Sequence, residues 1–145
     1  MELLFADQVR SGDRRIGYLA GVELDARSRR VTKIIFSEDG KLGSNAHTRS
    51  IDAVRIERGR MVVNESLLDQ PAATEPLLLS RSVRIIKGGR HAGHLAGVVV
   101  NDQAILAAAV GKQHWWTGRY RLAASDLDFS QSGEIRTGAS GSRAA

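Results

Sequence analysis

The sequence predicts an all-β protein built from two tandem copies of one small β-barrel. Three observations lead to this prediction: the chain repeats itself at an offset of 76 residues, apolar residues alternate with a period of two, and turn signals separate short segments. The 145 residues fit one ordinary domain or two very small ones. Strands exchanged between the two halves are an open alternative to two separate barrels.

The internal repeat is clearest where GYLAGV at residues 17–22 returns as GHLAGV at residues 93–98, with five of six positions identical. The same offset aligns Gly12 with Gly88 and Arg14 with Arg90. Two halves of about 60 residues therefore share one plan. Each half is small enough that its own core should be marginal.

Both prolines of the chain lie between the repeats, in the segment NESLLDQPAATEP. Proline cannot donate a hydrogen bond inside a central strand, so this segment is predicted to be a linker. The small, polar C-terminus is predicted to be disordered. The predicted boundaries are a first repeat at residues 1–63, a linker at 64–76, a second repeat at 77–137 and a tail at 138–145.

Within each half, β-branched and aromatic runs end at polar or glycine-containing turns, as is typical of short strands. The predicted strands are residues 16–24, 31–36, 51–56 and 61–63, then 83–87, 92–101, 105–110 and 119–123, with a final pair around 132–133. A single helical turn is the alternative at residues 66–70 or 124–127. The repeated glycines Gly17, Gly21, Gly93 and Gly97 are interpreted as sites of strand bending and close backbone approach. No helix follows them, which excludes a phosphate-binding nucleotide loop.

The first repeat resembles the PRC-barrel family. The resemblance is carried by GYLAGVELD, VTKIIF and IDAVRIERGRMVV, and it covers residues 5–63 closely and 80–136 more loosely. This small β-barrel is shared by the H subunit of photosynthetic reaction centres and the C-terminal part of a ribosome-maturation factor. The family has no common catalytic residue, and its members act as docking, assembly or membrane-adjacent adaptors. The resemblance therefore implies a non-enzymatic adaptor.

A search for chemistry in the residues themselves supports the same expectation. The chain has no cysteine, which excludes disulfides, thiolate nucleophiles and cysteine-ligated metals. No serine lies in a G-x-S-x-G elbow, and most of the acidic residues fall in predicted turns. His91 and His94 are three apart, and on a regular strand that spacing places them on opposite faces. We therefore predict no catalytic residues, no cofactor and no metal site.

The segment GKQHWWTGRYR, at residues 111–121, is the most unusual in the chain. It holds three of the seven aromatic residues, among them both tryptophans, whereas the corresponding loop of the first half has none. Three interpretations stay open: the tryptophans seal the interface between the repeats, form a protein-binding hot spot, or stack on nucleic-acid bases. The candidate partner-binding residues are Lys112, His114, Trp115, Trp116, Arg119, Tyr120 and Arg121.

The net charge is +5, and it is concentrated in the second half. Residues 71–145 carry nine Lys and Arg residues against five Asp and Glu, a net charge of +4. The leading prediction is docking onto a protein partner or a second copy of the chain, as a homodimer. An RNA- or ribosome-associated accessory domain and a peripheral membrane-surface module are the alternatives. The N-terminus lacks a signal-peptide pattern, so a cytoplasmic location is expected.

Overall fold

The computed structural model describes residues 1–43, 45–66, 73–114, 116–130 and 133–138. In this part of the chain the regular structure is all β apart from two single 3-10 turns, which confirms the predicted fold class. The strands of the first half are β1 (Glu2–Leu4), β2 (Gln8–Ser11), β3 (Arg14–Asp25), β4 (Val31–Ser37), β5 (His47–Ser50), β6 (Val54–Glu57) and β7 (Arg60–Val63). Those of the second half are β8 (Pro76–Ser80), β9 (Arg84–Lys87), β10 (Arg90–Val100), β11 (Leu106–Lys112), β12 (Arg119–Ala123) and β13 (Glu134–Arg136).

The strands form two sheets of the same plan. One has the order β5-β4-β3-β2-β7-β6, with β8 also paired to β3. The other has the order β12-β11-β10-β9-β13, with β1 also paired to β10. Pairing is parallel between β2 and β7 and between β9 and β13, and antiparallel elsewhere.

Each sheet thus includes a strand from the other half of the chain. Leu3 of β1 is opposite Val98 of β10, and Leu79 of β8 is opposite Val22 of β3. Both pairings are related by the 76-residue offset found in the sequence. All four side chains are buried, so each crossing strand contributes to the core.

The repeated glycines lie where another backbone approaches too closely for a side chain. A Cβ atom on Gly21 would lie 2.7 Å from the carbonyl oxygen of Leu79, and one on Gly97 would overlap the carbonyl oxygen of Leu3. The prediction of close backbone approach is confirmed at these positions. Irregular pairing beside each glycine, at Ala20 in β3 and Ala96 in β10, also follows the offset.

The predicted closed barrels are wrong. Over the described residues, neither sheet closes on itself through hydrogen bonds, and the ladders end at β5 and β6 in one sheet and at β12 and β13 in the other. The long central strands explain this arrangement. One edge of β3 is divided between β2 at its start and β8 at its end, so the foreign strand occupies an edge that would otherwise lie open.

The two halves share one cluster of buried apolar residues. They also meet at an isolated antiparallel bridge between Arg30 and Ile105. There the amide of Val31 donates to the carbonyl of Ala104, and the amide of Leu106 donates to the carbonyl of Arg29, both at 2.8 Å. These reciprocal bonds relate the halves by an offset of 75 residues, so the bridge lies near a local two-fold axis.

The remaining predictions of secondary structure have mixed outcomes. The strand predicted at 51–56 begins only at Val54, because Ile51–Ala53 forms a 3-10 turn in which the side chain of Ser50 accepts a hydrogen bond from the amide of Asp52 at 3.1 Å. The alternative of a helical turn at 124–127 is confirmed as the 3-10 turn Ala124–Asp126.

Parts of the predicted linker and tail lie outside the described residues, namely 67–72 and 139–145, as do 131–132 in the final predicted pair. β8 begins at Pro76, opposite Asp25, at the first position of a strand, where proline is tolerated. None of the helices in the described part of the chain has the length and apolar character required to cross a membrane.

Candidate functional site

The unusual aromatic segment connects β11 to β12 at one end of the second sheet. Lys112 is the last residue of β11 and Arg119 the first of β12. Between them, the hydroxyl of Thr117 accepts a hydrogen bond from the amide of His114 at 3.0 Å and donates one to its carbonyl at 2.8 Å. These bonds fix the turn on which the aromatic side chains are displayed. Trp115 lies outside the described residues.

Trp116 is the most exposed of the large hydrophobic side chains in the described part of the chain, with 65% of its surface accessible. Its indole stacks on the imidazole of His114, with ring centroids 4.6 Å apart and planes 5° from parallel. An indole this exposed does not seal an interface between the halves. The stacking holds it in one orientation on the surface.

Tyr120, in contrast, points inward. Its ring occupies the space where a Cβ atom on Gly111 would lie, and its hydroxyl donates to the carbonyl of Ala92 at 2.7 Å. Burial raises the pKa of the Tyr120 phenol. The side chain predicted for a partner therefore serves the packing between β10, β11 and β12.

Arg121 is exposed on β12 and is engaged within the chain. Its guanidinium donates to a carboxylate oxygen of Glu2 at 2.8 Å. Glu2 belongs to β1, so this ion pair joins the crossing strand to the edge of the second sheet. Because both side chains are largely solvated, the pair contributes at most about 1 kcal/mol.

Three basic side chains form a row across the second sheet. His94 of β10 is opposite Lys112 of β11, and Lys112 is opposite Arg119 of β12. Residues paired in this way present their side chains on the same face. Partial burial raises the pKa of the Asp7 carboxyl, and the charge of Arg119 acts in the opposite direction by favouring the carboxylate.

The predicted separation of His91 and His94 is wrong. Their ring centroids are 5.1 Å apart with an edge-to-face orientation. The cause is a bulge between His91 and Gly93, where one extra residue, Ala92, interrupts the alternation of side chains. Among the described residues, no group of three or more histidine and acidic side chains is placed to hold a metal ion.

A cavity of about 300 Å³ lies beside the Trp116 turn, and sequence reasoning did not identify it. Its lining includes Arg81, which follows β8, together with His94, Lys112, His114 and Arg119. The internal repeat holds a signal that could have revealed it. At the corresponding positions of the first half stand Phe5 for Arg81, Tyr18 for His94, Ser37 for Lys112 and Asp39 for His114.

Comparison with known proteins adds no identity to this geometry: no family model matches the chain, and the curated proteins contain no significant match.

Proposed function

We propose that this chain is a non-enzymatic adaptor that docks onto a protein partner through the Trp116 surface, defined as Lys112, His114, Trp116 and Arg119. The observation that carries the proposal is the exposed indole of Trp116, held parallel to His114 on a hydrogen-bonded turn. Tryptophan and arginine are the residue types most enriched among binding hot spots.

The physical advantage of this arrangement is preorganisation. A side chain that is fixed before binding loses less conformational entropy when a partner covers it. The stack on His114 and the two hydrogen bonds of Thr117 restrict the turn and the indole together. Covering an exposed indole also removes a large apolar area from water.

The proposal includes the architecture, namely two PRC-barrel-like units, derived from one ancestral unit, that exchange their first strands. It is supported by the offset of 76 residues that relates both crossing pairings, and by the irregular positions Ala20 and Ala96. A unit of this kind keeps its edges occupied through the other half of the chain. The outer surface of the second sheet is then left for a partner.

The test compares the full chain with Trp116→Ala and with the control Leu78→Ala, which removes another exposed apolar side chain on a distant strand. Sedimentation equilibrium measures self-association first. A dimer whose dissociation constant rises by about 30-fold in Trp116→Ala, corresponding to roughly 2 kcal/mol, and is unchanged in Leu78→Ala supports docking between copies.

If the chain is monomeric, affinity capture is performed with the same three proteins. A partner that binds the wild type and Leu78→Ala, but not Trp116→Ala, supports the proposal once direct binding is shown with the purified proteins. Equal retention of every captured protein by all three contradicts it. Thermal unfolding must be similar for the three proteins, since substitutions of exposed residues usually change stability by no more than about 0.5 kcal/mol.

A further inference from the structure

The cavity beside the Trp116 turn has a chemistry that docking through an indole does not require. Its wall carries the side chains of Arg81, Lys112 and Arg119 and the two imidazoles of His94 and His114, over an apolar floor that includes Leu95. None of its lining residues, within the described part of the chain, is an aspartate or a glutamate. The cavity is therefore basic on its wall and apolar at its base.

The permanent cations of this cavity are not neutralised by close carboxylates. Over the described ranges, Arg81, Lys112 and Arg119 form no ion pair within 4 Å, whereas other arginines such as Arg49 and Arg84 do. The acidic group that Arg119 attracts is Asp7, which does not line the cavity. Positive charge is thus concentrated on one small concave surface.

This concentration of charge opposes the stability of the sheet. Lys112 and Arg119 lie directly opposite each other on neighbouring strands, and like charges in that relationship are destabilising. The fold does not need them, because the first half forms the same sheet with Tyr18 opposite Ser37. There Asp39 closes the following loop by accepting hydrogen bonds from Ser37 and Lys41, both at 3.0 Å. A costly departure from internal symmetry indicates selection for a ligand.

We infer that this cavity binds the phosphate group of a phosphomonoester. A volume of about 300 Å³ is at the lower end for ligand sites and suits one small anionic group. A phosphomonoester dianion presents three terminal oxygens, which can accept hydrogen bonds from two guanidinium groups and one ammonium group together. The imidazoles supply further N–H donors, and the stack with Trp116 restrains that of His114. The inference is independent of the docking proposal, because it concerns the cavity and not the indole.

The binding test uses isothermal titration calorimetry of the full chain with phosphoserine, and with serine as the matched ligand lacking phosphate. We expect phosphoserine to bind and serine not to bind. Lys112→Ser introduces the residue that the first half carries at this position, and Arg81→Gln removes a second cation. Each should raise the dissociation constant by roughly tenfold or more, since a hydrogen bond to a charged group is lost.

Lys87→Gln is the control, because it removes one positive charge from β9, away from the cavity. It should leave the affinity unchanged. An equal loss in Lys87→Gln, or no binding of phosphoserine to the wild type, overturns the inference. Neither cavity variant removes a buried apolar side chain, and circular dichroism verifies that both are folded.

Vesicles distinguish a soluble phosphomonoester from a lipid headgroup. Phosphatidic acid in phosphatidylcholine vesicles presents the same phosphate group. Vesicle binding that phosphoserine displaces indicates a lipid source and supports the inference. Vesicle binding that phosphoserine does not displace overturns it, as does binding of single-stranded RNA, a phosphodiester, without any binding of phosphoserine.

Discussion

Leu3 and Val98 lie directly opposite each other on paired antiparallel strands, although they are 95 positions apart in the chain. Both side chains are fully buried. The pairing places the N-terminal strand of the first half at the centre of the second sheet. Leu79 and Val22 make the equivalent contact in the other direction. Each half therefore depends on the other for part of its core.

Truncation of either crossing leucine should destabilise the whole chain. We expect Leu3→Ala and Leu79→Ala each to lower the free energy of unfolding by about 2–5 kcal/mol, because each leaves a cavity in the shared core. Leu78→Ala, on the same strand as Leu79 but 48% exposed, should change it by no more than about 0.5 kcal/mol. Urea unfolding of the three variants measures this. A loss below about 1 kcal/mol in both buried variants would contradict a shared core.

A methyl group at Gly97 should weaken the attachment of β1. In Gly97→Ala the new Cβ would overlap the backbone carbonyl of Leu3, which cannot move away as a flexible side chain could. We expect a loss of about 1–3 kcal/mol, typical of overpacking. Gly118→Ala is the matched control on the β11–β12 turn, because beyond its chain neighbours no described atom would lie within 4 Å of the added Cβ. Similar stability of the two variants would disprove the close approach.

The halves should not fold independently. Residues 1–66 alone would leave one edge of β3 unpaired where β8 now lies, and β1 would have no β10 to join. We expect this fragment to be poorly folded or to self-associate, and the full chain to unfold in one transition. Calorimetry of the full chain and size-exclusion chromatography of the fragment provide the measurements. Two separate transitions in the full chain would show that the halves do not stabilise each other.

Stability should depend on the ionisation of Asp25. Burial alone would raise the pKa of this carboxyl, but hydrogen bonds from the amides of Thr74, Arg27 and Glu75 reverse the effect and lower it. A lowered pKa in the folded state means that the carboxylate stabilises the fold above the ordinary pKa of about 4, and that this contribution is lost as the pH falls.

Asp25→Asn should therefore be less stable than the wild type at neutral pH. The difference should narrow as the pH is lowered below about 4, because the wild-type carboxyl then also becomes neutral. Thermal unfolding across this range tests the prediction. A difference that stays constant with pH would show that the amides do not depend on the charge of the carboxylate.

Much of the fold could be predicted from local patterns. The β12 strand matches its predicted bounds, and the long strands β3 and β10 lie within two residues of theirs. Alternation and turn residues act over a few neighbours, so they can be recognised in the sequence itself. The candidate site was only partly predictable, since Trp116 is exposed as a binding residue would be while Tyr120 packs inward.

By itself, the sequence determined the class of fold, the repeat and the position of its most unusual segment. Only the tertiary structure decided which strands pair across the halves, and that both sheets stay open. It also decided that His91 and His94 meet and that Arg81 joins the basic cavity. The physical reason is that strand pairing between distant segments depends on complementary edges and a shared core. A single bulge then reverses the direction of every side chain beyond it.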